Sequence, residues 1–144
     1  MSKPSPDHHD AELVLRVYDL RREALMREAR SALNAKFLPR TYEDVLALTK
    51  GEHPLNAAYR QVTTYWEMVY GIARHGIVHA EYFMESNGEG LLTYAKVAPY
   101  LEAYRRDVSS VAFSNAEWVS NETAAGRRYL QVFTARIQKL LESK

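Results

Sequence analysis

With 144 residues, 19 basic and 18 acidic side chains, a formal charge of +1 and no cysteine, the chain has room for one core and no overall field toward nucleic acid or anionic lipid. The lack of thiols excludes a disulfide framework, a thiol nucleophile and a thiolate metal site, and it fits a reducing, cytoplasmic compartment. No apolar run reaches the about 18 residues of a membrane span, and the first ten residues hold no apolar signal core, so no membrane partner is expected.

Residues 1–9 are polar, with two prolines, and read as a disordered tail that ends where Asp7 or Asp10 caps a first helix; residues 10–144 read as one helical domain. The first helix is expected to run to about residue 35. One apolar side carries Leu13, Val17, Leu20 and Ala24, another carries Val14, Tyr18, Leu25, Ala29, Ala32 and Leu33, and a charged sector is left between them. Phe37, Leu38 and Pro39 end it, because proline disfavours helical geometry in the residue before it. Thr41 followed by Asp44 predicts a capped short helix over 42–49.

The centre of the pattern is residues 55–75. Tyr59, Val62, Tyr65, Trp66, Val69, Tyr70 and Ala73 fall, with their apolar neighbours, in an arc roughly 160° wide, opposite Asn56, Arg60, Thr64, Glu67, Gly71 and Arg74. So broad and aromatic a stripe must be covered by several other elements, which makes this the central helix of a bundle. Gly76 closes it. A short helix over 78–86, a turn at 87–90 and a helix over 91–107 kinked at Pro99 follow. After a connection at 108–113, Ser114 or Asn115 is expected to cap a long last helix reaching about residue 142. The expected fold is an all-α, single-domain antiparallel helical bundle with three long helices and two or three short ones.

Familiar chemistry finds no motif here. His75 and His79 are four apart, but Gly76 interrupts the face they would share, and two histidines flanking a helix junction is the reading their context favours. Neither a Glu-x-x-His pair nor a His-Glu-x-x-His motif is present, so no metal ligand and no cofactor is assigned. Gly88-Glu89-Gly90 lacks the third glycine of a dinucleotide loop, and no catalytic residue is nominated. The arginines of the first helix alternate with acids, six against six over residues 7–36, so nucleic acid is not an expected partner.

Charge within the apolar arcs is the informative anomaly. Glu122 and Arg136 project into the apolar sector of the last helix, Arg105 into that of the preceding one, and Arg22 into the second apolar group of the first helix. A buried ion must be paired, so a cross-helix salt bridge among them is expected. In the functional alternative the arginines are anion ligands and Glu122 is a carboxylate of raised pKa in a polar pocket between helices.

Val17-Tyr18-Asp19-Leu20-Arg21-Arg22 with Ala29-Arg30, Tyr65-Trp66-Glu67-Met68, the Gly76-Ile77 turn into Glu81-Tyr82-Phe83, residues 101–106 and Asn115-Ala116-Glu117-Trp118 follow one another in an order that resembles a family of small, uncharacterised bacterial all-helical domains. The resemblance implies a helical bundle and no known activity. The functional expectation is a non-enzymatic protein-interaction or scaffold module with an unknown protein partner. It would be a homodimer if the first helix and the tyrosines form a self-interface. The alternative is a small anionic-ligand-binding protein, or an enzyme, with a pocket built on Arg22, Arg105, Glu122 and Arg136.

Overall fold

A computed structural model describes residues 3–143. Helices α1 (His8–Arg21) and α2 (Ala24–Lys36) are followed by α3 (Tyr42–Leu48), α4 (Asn56–Arg74), α5 (Ala80–Ser86) and α6 (Gly90–Val97). A 3-10 turn at Ala98–Tyr100 leads into α7 (Leu101–Asp107), then α8 (Ser114–Glu122) and α9 (Ala124–Glu142). The described residues form an all-helical bundle without strands.

The expected central helix is central. α4 packs against α2, α8, α6 and α5, and Tyr59, Val62, Tyr65, Trp66, Val69, Tyr70 and Ala73 are all buried. Its tyrosines contribute apolar area and then tie helices together through the phenol, which removes the penalty of burying a hydroxyl. Tyr65 donates to the Val17 carbonyl at 2.6 Å, Tyr70 to the Asn87 carbonyl at 2.8 Å, and the Tyr59 and Tyr104 hydroxyls share a bond of 2.8 Å. The side expected to face solvent is partly covered as well. Asn56 is buried and donates to the Leu48 carbonyl, while Glu67 and Gly71 lie against α8.

Two helices that the periodicity makes continuous are broken. The first breaks at Glu23, whose extended backbone (φ −54°, ψ 142°) and carboxylate, accepting from Met26 N, start α2 anew. No glycine or proline marks this turn. It lets α2 lay Met26, Ala29 and Leu33 toward α4, while α1 holds Val17 under Tyr65 and reaches α5. The last helix breaks at Thr123, also extended (φ −121°, ψ 144°), whose hydroxyl donates to the Val119 carbonyl and accepts from Gly126 N.

Two acidic side chains from other helices hold these later ends. Phe113, at φ 59°, turns the chain into α8, and the orphan N–H groups of Asn115 and Ala116 are met by the Glu67 carboxylate at 3.1 and 2.8 Å, in place of the expected Ser114 or Asn115 cap. Glu81 does the same for Ala124 and Ala125 at the start of α9. A carboxylate at such a site contributes about 1 kcal/mol. Thr41 and Asp44 form the expected reciprocal cap of α3, and Pro99 sits at the expected break between α6 and α7.

The N-terminal segment is anchored by a buried charge. Asp7 caps α1, so the helix takes in His8 and His9 of the expected tail. Asp10, 1% exposed, accepts from Lys3 Nζ at 2.9 Å, Asp7 N at 3.0 Å and His79 N at 3.3 Å. Burial pushes its carboxyl up, but Lys3 and the two backbone donors outweigh this and hold it below the usual carboxylate range.

Candidate functional site

Helix α6 is apolar along almost its whole length, with Leu91, Leu92, Tyr94, Ala95 and Val97 around a lone charged residue, Lys96. α9 packs directly against it. Residues of both helices, with others from adjoining segments, line an open cleft of about 540 Å³, within the ~300–1,000 Å³ of small-molecule sites. Leu92 and Lys96 come from α6, and Tyr129, Phe133, Arg136 and Ile137 come from α9. The ends of α1 and α2 supply Arg21 and Asn34, and the turn before α6 supplies Gly88 and Glu89. The Tyr129 ring lies so close over Gly88 that a Cβ there would come within 2.3 Å of it.

The electrostatics of this cleft are unbalanced. Its lining carboxylate, Glu89, is taken by a bidentate bond from Arg30 outside the lining (2.5 Å from Nε, 2.8 Å from Nη2). Arg21, Lys96 and Arg136 therefore line the cleft with no carboxylate within ion-pair distance among the described residues. The two arginines rest on aromatic faces, Arg21 5.2 Å from the Tyr18 ring centre and Arg136 5.2 Å from that of Phe133. Lys96 is 5% exposed. Its Nζ lies 3.5 Å from the Asn34 carbonyl and 5.7 Å from the Phe37 ring centre, and burial lowers its pKa to about 8. Such an arrangement can bind a carboxylate or phosphate, and it holds an amine that is partly neutral near physiological pH.

The four residues nominated from the sequence do not converge. Arg136 lines this cleft. Arg105 and Glu122 line a different groove of about 270 Å³ beside α8, where Arg105 is already satisfied by the Ala112 carbonyl and by Glu117, both at 3.0 Å. The buried bridge expected among these four residues is not formed among the described residues; Arg105 on α7 instead pairs with Glu117 on α8, and both side chains are partly exposed. Glu122 is exposed, and Arg22 is exposed with its guanidinium 5.2 Å from the Tyr18 ring centre. Arg22 and Glu122 stand at the ends of α1 and α8, immediately before the breaks at Glu23 and Thr123, so a wheel drawn through one continuous helix misassigns their faces. The buried charges are instead Asp10 and Lys96. The signal for Lys96 was present in the sequence as a single cation inside an apolar helix. Only the packing of α9 shows that the cation borders a cleft.

The histidine reading agrees with the geometry: His79 caps α5 by accepting from Tyr82 N through Nδ1. Among the described residues no group of three or more histidine or acidic side chains is placed to hold a metal ion, and no helix is long and apolar enough to cross a membrane.

The molecule is thus an all-α bundle with a cation-lined cleft between two of its helices. A family model described as "Domain of unknown function (DUF4760)" matches residues 6–123, and the chain belongs to that family. The matched segment stops at the elbow between α8 and α9, so Tyr129, Phe133 and Arg136 lie beyond it. No curated protein and no solved structure matches the chain.

Proposed function

We propose that the protein binds a small anionic molecule, a carboxylate or a phosphate, in the cleft between α6 and α9. The observation that carries this reading is that Arg21, Lys96 and Arg136 border one open cleft without a carboxylate partner, while the lining acid is neutralised by Arg30. A buried ammonium opposes folding, and stability sacrificed at a cleft is a mark of a site that binds or reacts. Thermal denaturation against a panel of small carboxylates and phosphates tests this. A ligand present at about 100 times its dissociation constant should add about 2.7 kcal/mol. Arg136→Ala and Arg21→Ala should abolish the gain, and Arg105→Ala, in the other groove, should keep it. No stabilisation by any member of the panel overturns the proposal.

An interaction module that pairs with a second copy is the second reading. It is favoured by Leu15 and Leu25, 66% and 62% exposed on α1 and α2, and by a shallow groove between α2 and α4 that joins Leu25 to Ala29, Ala32, Ala57 and Ala58. Light scattering should then give a dimer mass. A monomer at every concentration tested removes this reading.

A further inference from the structure

We infer that Lys96 is a reactive amine that captures the carbonyl carbon of an anionic oxo acid or aldehyde as a reversible imine, with Arg21 and Arg136 holding the anionic end. The inference rests on the cleft's being an anion site and adds to it a class of ligand and a covalent step. Lys96 differs from the other described lysines. Lys36, Lys50 and Lys139 are exposed, and Lys3 is paired with Asp7 and Asp10, whereas Lys96 is buried at the wall of a cleft with one long hydrogen bond, to the Asn34 carbonyl, and the Phe37 ring 5.7 Å away. The other charged groups that line the same cleft come from three elements: Arg21 at the end of α1, Glu89 before α6 and Arg136 on α9. Glu89 is held by Arg30, and no carboxylate lies within ion-pair distance of the amine among the described residues. Burial alone disfavours the charged form of Lys96. With a pKa of about 8, Lys96 presents on the order of a hundredfold more neutral amine at pH 7 than a solvated lysine.

The step is balanced without any oxidant or reductant. The Nζ lone pair adds to the carbonyl carbon, the carbonyl π pair moves to oxygen, and a proton passes from nitrogen to that oxygen. Loss of the oxygen as water, with the second nitrogen proton, leaves the C=N bond, and hydrolysis reverses the sequence.

The test is reductive trapping of the full chain with pyruvate and sodium cyanoborohydride at pH 7, followed by peptide mass spectrometry. The peptide containing Lys96 should gain the mass of pyruvic acid less one oxygen, well before those containing Lys36, Lys50 or Lys139. Lys96→Arg, which keeps the charge, should lose that adduct and leave labelling elsewhere unchanged. Arg136→Ala should slow trapping of pyruvate about tenfold relative to trapping of the neutral aldehyde propanal. Labelling spread over the exposed lysines with none at Lys96 overturns the inference. If acetate or phosphate still stabilises the protein in that case, the anion cleft stands and only the covalent step falls. An Arg136→Ala effect equal for both probes overturns the assignment of the arginines to the ligand's anionic end.

Discussion

Lys96→Met is expected to stabilise the protein at pH 7 by about 3 kcal/mol, an unusual sign for a substitution at a buried position. Burial lowers the lysine from 10.5 to about 8, and each pKa unit of depression is ~1.4 kcal/mol by which the folded state disfavours the charged form. Methionine follows the lysine stem closely in length and shape, so Phe37 and the α9 side chains keep their contacts. The linkage has a definite sign. Below pH 8 both the folded and unfolded states bind the proton, and the penalty is present in full. Between about 8 and 10.5 the unfolded chain retains a proton that the folded protein has released, so the stability of the wild type rises with pH. Tyrosines act in the opposite sense above pH 10. Burial pushes Tyr65 up to about 12 and raises Tyr59 and Tyr70 as well, so stability is lost as pH climbs beyond the ordinary phenol range. Urea denaturation at pH 7 and pH 9.5 separates these effects. The advantage of Lys96→Met should shrink by more than half between the two. A variant less stable than wild type at pH 7 would show that the Asn34 carbonyl and the Phe37 ring compensate the ammonium fully.

Gly126→Ala should destabilise by about 3 kcal/mol or more, although alanine is the better helix former by ~1 kcal/mol in a helix interior. A Cβ at this position would lie 2.0 Å from the Val119 carbonyl oxygen and 2.5 Å from the Thr123 hydroxyl. The first of these is backbone, so no side-chain rotation relieves the clash. The elbow between α8 and α9 would have to open, and Thr123 would lose the bond by which it accepts from Gly126 N. α9 is one wall of the cleft, so the same change should weaken ligand stabilisation too. Gly51→Ala is the control. Nothing lies within 4 Å of a Cβ at that position, and its effect should stay within about 0.5 kcal/mol. Similar midpoints for the two variants in chemical denaturation would mean that α8 and α9 are not held at close range.

The matched segment contains Lys96, Arg21 and Glu89, while the other wall of the cleft follows it.

Local rules in the sequence determined what depends on near neighbours. The aromatic arc of residues 55–75 identified the buried face of α4, Thr41 and Asp44 marked the start of α3, Gly76 took the left-handed position after α4, and Pro99 divided α6 from α7. Each of these follows from side-chain spacing or backbone sterics within a few residues. The tertiary structure alone decided the breaks at Glu23 and Thr123 and the partners of the charges. No local helix breaker occupies either position, and the new start of α9 is met by Glu81, distant in sequence, as the start of α8 is met by Glu67. The same holds for the cleft. The cationic charge of Lys96 was visible as an exception on an apolar helix, but that no carboxylate lies within ion-pair distance of it among the described residues, and that the lining acid Glu89 is bound by Arg30 from another helix, are products of the packing. Which carboxylate remains available to which cation is a property of side chains brought together by packing, and linear spacing carries no record of it.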